Sequence, residues 1–188
     1  MTELRWPFEV VRFLWLSLPV IVAALVHLLV LRLRWLESLR VPLDGGAKFR
    51  SRRLFGDNKT IRGAVVMIGV STLVAILQGI VRLPALEYFD YGAANLAMVG
   101  MLLGAGFVLG ELPNSFLKRQ LDVAPGAHGG VWHAILDQLD SVIGALLLLS
   151  LVWVAPLHVW VIGFLLGSGL HMAVNGIFVL VGVKRTIF

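Results

Sequence analysis

The sequence predicts an all-α, polytopic membrane protein of about five transmembrane helices, with its N-terminus outside and its C-terminus cytoplasmic. Three observations predict it. Of 188 residues, 59% are hydrophobic and 14% charged, against about 45–50% and 25% in soluble domains. The apolar residues gather in blocks close to the roughly 20 residues that a helix needs to cross a hydrocarbon core. The basic residues are shared unevenly among the segments joining those blocks, and Lys and Arg accumulate on the cytoplasmic side.

Glu3, Arg5, Glu9 and Arg12 precede the first block and no Ala-x-Ala-like site closes it, so it reads as a retained helix from about Phe13 to Leu31. The second helix is expected over Gly63 to Val81 and the third over Ala94 to about Leu117. The fourth is expected from near Ala134 to Val154, and the fifth from Leu157 to Val183 after a turn at Ala155-Pro156. One membrane domain then occupies residues 1–188, with cytoplasmic loops at about 32–62 and 118–136. Thirteen basic residues fall on the side of the first and third loops and the C-terminus, against Arg5, Arg12 and Arg82 on the other. That asymmetry orients the chain in the cell membrane.

The net charge of +5 reports topology and anionic headgroups, not nucleic acid. With no cysteine, disulfides, zinc–thiolate sites and thiol nucleophiles are excluded, and a metal must be held by oxygen or imidazole. The spacings Gly100-x-x-x-Gly104, Gly106-x-x-x-Gly110 and Gly163-x-x-x-Gly167 let helix backbones approach closely. Packing within the chain is their first use and a homodimer their second. The six tryptophans, mostly near helix ends, suit the membrane interface, and the isolated His27, His158 and His171 read as packed or interfacial.

Chemistry concentrates in the two cytoplasmic loops. In the first, Gly45, Gly46 and Gly56 permit positive φ, so that backbone N–H groups can converge on an anion, while Lys59 and Arg62 can neutralise phosphate. Asp57, Asn58 and Thr60 lie between these cations and glycines. The spacing is not that of a Walker A loop. A cationic collar serving topology alone would need neither the glycines nor Asp57-Asn58.

Glu111 and Asn114 end the third helix, followed by Ser115, Lys118 and Arg119. Glu111 should face a polar cavity or a cation, because an ionised group at membrane depth is costly. Asp137 and Asp140, at i and i+3, share a helix face and can share a divalent cation. Hard oxygen ligands favour Mg²⁺, which takes one or two carboxylates together with substrate phosphates. A salt bridge from this pair to Lys118 or Arg119 is the structural alternative. His128, in a glycine-rich loop before the pair, could contact a phosphate or a nucleobase.

These segments resemble the membrane CTP-transferases that include CDP-archaeol synthases and CDP-diacylglycerol synthases. Gly56-Asp-Asn-Lys-Thr-Ile-Arg-Gly63 resembles the Gly-Asp-Asn-Lys-Thr-Trp-Arg-Gly block of CDP-archaeol synthases, with Ile61 in place of the aromatic. Asn114-Ser-Phe-Leu-Lys-Arg119 and Asp137-Gln-Leu-Asp140 are similar to that family as well. The order Ser115-x-x-Lys-Arg, Gly126-x-His-Gly-Gly130 and Asp137-x-x-Asp140 echoes CDP-diacylglycerol synthases, but Val131 to Leu136 intervene and Gln138 replaces an arginine. The short length favours the first branch.

The resemblance implies transfer of a cytidylyl group from CTP to a membrane lipid phosphate, either an archaeal-type ether glycerol phosphate or phosphatidate, with release of pyrophosphate. It implies catalytic roles for Asp137, Asp140, Lys59 and Arg62, with Mg²⁺ on the two aspartates. Asp57, Asn58, Thr60, Asn114, Ser115, Lys118, Arg119 and His128 would bind substrate. A transporter or flippase for an anionic solute or lipid is the competing expectation, but it predicts paired broken helices in repeated halves. The aspartate array of a CDP-alcohol phosphotransferase is absent.

Overall fold

The structure is a computed structural model and describes residues 5–124 and 131–182. It is built from α1 (Trp6–Arg32), α2 (Ile61–Val81), α3 (Leu96–Gln120), α4 (Val131–Leu149) and α5 (Leu157–Leu180). Helices α1, α2, α3 and α5 are each long and apolar enough to cross a membrane. Helix α4 has a polar first half and a shorter apolar stretch, Leu139–Leu149. Its 19 residues still rise about 28 Å, close to the thickness of a hydrocarbon core. The all-α polytopic expectation therefore holds.

Several helix ends differ from expectation for local reasons. Helix α1 starts at Trp6, earlier than Phe13, because Pro7 pre-sets the first turn and Glu9 sits favourably at the positive end of the helix dipole. Helix α3 runs on to Gln120, since Lys118 and Arg119 suit its negative end. Helix α4 starts at Val131 and stops at Leu149, five residues short of the expected Val154.

Helix α3 lies between α2 and α4 and packs most extensively against both. A Cβ on Gly100 or Gly104 would strike the α2 backbone at Ser71 and Met67, and one on Gly106 or Gly110 the α4 backbone at Gly144 and Asp140. Gly163 and Gly167 lie against Leu146 and Val142 of α4. All three small-residue seams are thus filled from within the chain.

Helix α1 is joined to α2 by polar contacts. Pro19 has no N–H to offer the carbonyl of Trp15, and that carbonyl instead accepts from Gln78 Nε2 of α2 at 2.6 Å. Ser71 Oγ donates to the carbonyl of Pro19 at 3.3 Å. Helix α5 has a π-helical segment at Gly163–Gly167, a widened turn of the kind that accommodates an extra residue.

The two ends of the bundle differ. At one end Arg12 pairs with Glu9 at 3.0 Å and lies over the Tyr88 ring, whose hydroxyl donates to the carbonyl of Glu9. His158 Nε2 is 3.4 Å from Glu9, and Arg82 pairs with Glu87 and Asp90. The other end carries the loop between α1 and α2, the end of α3 and the polar half of α4. Trp6 and Trp35 are exposed near helix ends as expected, whereas Trp15, Trp153 and Trp160 pack against the core.

Candidate active site

The loop between α1 and α2 is ordered around one buried carboxylate. Gly45, Gly46 and Gly56 all have positive φ, as the sequence suggested, and the N–H groups of Gly46 and Gly56 do converge on an anion. That anion is the chain's own Asp44. It accepts from Gly46 N at 3.0 Å, Phe55 N at 3.0 Å, Gly56 N at 3.2 Å and Arg53 Nη2 at 2.6 Å. Burial alone would raise the Asp44 pKa, but Arg53 and the three N–H groups outweigh it and hold the carboxyl well below the usual carboxylate range.

Arg53 extends this knot outward. Its Nη1 donates to Asp57 at 2.8 Å, and its carbonyl accepts from Gln120 at the end of α3. It lies on β2 (Arg52–Arg53), which pairs with β1 (Lys48–Phe49) in a short hairpin. Leu43, next to Asp44, donates its N–H to the carbonyl of Lys59 at 2.7 Å, and Ile61 N donates to the carbonyl of Val41 at 2.8 Å. Thr60 Oγ1 then caps α2 by accepting from Gly63 N. The backbone of Lys59 is thereby fixed at the mouth of α2.

A line of side chains runs from Lys59 across α3 to α4. Lys59 Nζ pairs with Glu111, and the other Glu111 oxygen accepts from Ser141 Oγ at 3.2 Å. Ser141 Oγ lies 3.0 Å from Asp140 Oδ1. Asn114 Nδ2 donates to Asp137 at 2.5 Å and to Asp140 at 3.1 Å, and Lys118 Nζ pairs with the far oxygen of Asp137. Glu111, Asn114 and Lys118 follow at i, i+3 and i+7 on α3 and meet Asp137, Asp140 and Ser141 at i, i+3 and i+4 on α4. The closeness of the two helices depends on Gly110 and Gly144. Burial would lower the Lys59 pKa, but attraction to Glu111, with Asp140 and Asp137 behind it, raises it, so the ammonium stays charged.

The structure brings Lys59, Asn114, Lys118, Asp137 and Asp140 into one line, with Asn58 and Thr60 beside Lys59 on the wall of the adjoining cavity. Arg62 stands apart, donating to Glu37 at 2.6 Å and to the carbonyl of Trp35 at 3.3 Å. Asp57 is exposed and held by Arg53. Ser115 and Arg119 are buried at the end of α3, and among the described residues the Nε and Nη1 of Arg119 have no hydrogen-bond partner. His128 lies outside the described residues. Asp44 and Ser141 were not singled out from the sequence, and Glu111 was noted without a role. The signal for Glu111 was its charge at membrane depth, but its partner lies 52 residues away.

Below this polar line opens a cavity of about 370 Å³ lined by all five helices. Its wall is polar at the loop end, at Asn58, Lys59, Thr60, Glu111 and Ser141, and largely apolar inward, at Leu16, Val20, Met67 and Leu103. Such a space suits a molecule with an anionic head and hydrocarbon chains.

Comparison with known proteins agrees. The profile of the CarS-like family, CDP-archaeol synthase, matches residues 8–188. The CDP-archaeol synthase of Methanopyrus kandleri is 37% identical over 147 residues, 77% of this chain and 78% of that protein. That of Halobacterium salinarum is 34% identical over 150 residues, covering 76% and 81% respectively. A solved structure of an intramembrane enzyme for archaeal membrane lipids biosynthesis superposes with a TM-score of 0.59 at 25% identity, over 82% of this chain and 91% of that one. On the extent of the profile match and the identity to both synthases, this chain belongs to the CDP-archaeol synthase family.

Proposed function

We propose that the protein transfers the cytidylyl group of CTP to a lipid phosphate, giving a CDP-lipid and pyrophosphate, with its active site on the cytoplasmic face of the cell membrane. The observation that carries this reading is the polar line from Lys59 to Lys118 set at the mouth of an apolar cavity. The acceptor would be an ether-linked glycerol phosphate of the archaeal type or phosphatidate, its chains in the cavity and its phosphate at the polar end.

The residues fit a divalent cation. Asp137 and Asp140 are close enough to share one Asn114 nitrogen. No group of three or more His, Cys, Asp or Glu side chains among the described residues forms a complete cage. Two carboxylates with open positions are what Mg²⁺ uses when substrate phosphates and water supply its remaining ligands. Bound to Asp137 and Asp140, Mg²⁺ would neutralise phosphate charge and orient the triphosphate.

The acceptor phosphate is already ionised near neutral pH, so no general base is required. The side chains must instead hold two anions together. Lys59 and Lys118 sit at the two ends of the carboxylate line and can exchange those carboxylates for phosphate oxygens. The buried Arg119 guanidinium, whose Nε and Nη1 have no hydrogen-bond partner among the described residues, offers charge-assisted hydrogen bonds to a phosphate. Asn114 holds the two aspartates in register. The cavity wall keeps water from the acceptor's chains.

Purified protein, Mg²⁺, labelled CTP and a panel of ether- and ester-linked lipid phosphates test the reading. A CDP-lipid formed in step with pyrophosphate is expected. No nucleotide turnover with any acceptor by folded protein, or solute transport without turnover in liposomes, refutes it.

A further inference from the structure

Helix α1 has 27 residues, a rise of about 40 Å against a hydrocarbon core of about 30 Å. The turn that follows Arg32 therefore lies in the headgroup layer. Trp35 N–H reaches back to the carbonyl of Val30, and Arg34 N–H to the carbonyl of Leu31. Such a helix ending puts residue 34 in the left-handed region, where glycine is the unstrained choice. Here that residue is Arg34, at φ 53°, and Leu36 follows at φ 55°.

The side chains kept at this strained turn face outward. Leu33, Trp35 and Leu36 are exposed, Trp35 by 60%, and Arg32 and Arg34 are exposed between them. No acidic side chain among the described residues pairs with either arginine. The negative end of the α1 dipole accounts for a cation near Arg32, but not for an indole and two leucines in the open beside it. Cations alternating with apolar side chains suit the boundary between anionic headgroups and acyl chains, where the cations meet phosphate and the indole and leucines enter the layer beneath.

The inner side of the same turn holds the start of α2. The carbonyl of Trp35 and the carboxylate of Glu37 both accept from Arg62 Nη1, at 3.3 and 2.6 Å. Arg62 thereby neutralises the acid nearest the two arginines, and the outer face stays cationic.

We infer that residues 32–36 form a docking surface for anionic phospholipid headgroups of the adjoining leaflet. Arg32 and Arg34 bind the phosphates, Trp35 and Leu36 insert beside them, and docking braces the turn that holds Glu37 against Arg62 at the mouth of α2.

The test reads hydrogen exchange at Leu39 and Arg40, whose N–H groups bond the carbonyls of Leu36 and Glu37 in that turn. The protein is embedded in nanodiscs of phosphatidylcholine alone or mixed with phosphatidylglycerol. A cation at an anionic surface is worth about fivefold, so two should slow exchange about 25-fold in the mixed bilayer. Arg34→Gly removes one cation while supplying the residue that the backbone favours, so the melting temperature should hold or rise while the slowing falls to about fivefold. In Arg32→Gln/Arg34→Gly less than about twofold should remain. Equal slowing in all three proteins, or exchange in the parent that is indifferent to phosphatidylglycerol, overturns the proposal. If the double variant fails to fold, the parent decides the matter, because salt screens exposed charges. Raised salt should erase the slowing, and slowing that survives it overturns the docking. None of these readouts uses turnover, so the result stands apart from that of the proposed function.

Discussion

Replacing Asp44 with Asn changes one buried side chain by a single atom, yet it should loosen the segment that holds Lys59. One Asp44 oxygen accepts from Gly46 N and Arg53 Nη2, and the other from Phe55 N and Gly56 N. An amide has one acceptor oxygen, so its NH₂ would face either two backbone N–H groups or an N–H and a guanidinium. Each buried donor left without a partner costs about 1–3 kcal/mol. Two such losses, with the weakened Arg53 contact, give about 3 kcal/mol. That cost falls on the loop, because the knot ties residues 44–57 to one another and meets the end of α3 through Gln120 and the Phe49–Phe116 ring contact and α2 through the strand-like pairing with Lys59. CTP affinity, measured by calorimetry with Mg²⁺, should fall about 100-fold in Asp44→Asn, while the melting temperature of the bundle changes little. Unchanged CTP affinity would refute the reasoning. The pH behaviour supplies a second check. Because the folded carboxyl titrates below its ordinary range, its contribution is complete above about pH 4 and is lost only as pH falls through the lower, folded value. Hydrogen exchange at Phe55 and Gly56 should therefore stay slow on acidification through pH 4, and deprotection there would contradict the structure.

Asp137→Asn and Asp140→Asn keep side-chain size and should remain folded while turnover falls at least about 100-fold, roughly 2.7 kcal/mol; near-normal turnover against Mg²⁺ by both would exclude the metal assignment. Gly144→Leu forces a side chain into the backbone of Gly106 and Gly110 and should cost about 1–3 kcal/mol or more, read as a lower melting temperature in detergent together with lost activity. The chain has no cysteine, so Ser51→Cys and Ala85→Cys report topology directly. An impermeant thiol reagent outside intact cells should label position 85 and spare position 51, and the reverse would overturn the cytoplasmic site.

Helices and their order were legible because a membrane-crossing segment carries its signal in one continuous apolar run. The Asp137/Asp140 pair was legible for a similar reason, since i and i+3 share a face wherever the helix packs. Long-range pairings were not. Arg62 has the chemistry of a phosphate ligand, but in the structure it is taken by Glu37, placed there by the turn after α1. The three loop glycines announced a cluster of N–H groups, yet nothing local said that Asp44 would fill it. Glu111 was visible as a charge at an improbable depth. That Lys59 neutralises it depends on how α2 and α3 pack, which the Gly100 and Gly104 seam determines.

The glycine-lined contacts give the molecule a division of labour. Helices α3 and α4, drawn together at Gly106, Gly110 and Gly144, carry the aspartates, Asn114 and Lys118. Helices α1 and α5 contribute wall to the cavity but no member of that line. On the proposed reading, acceptor preference can drift, or be engineered, by exchanging side chains on α1 and α5 while the proposed reacting centre is inherited intact. A single catalytic core could in this way serve membranes built from differently shaped hydrocarbon chains.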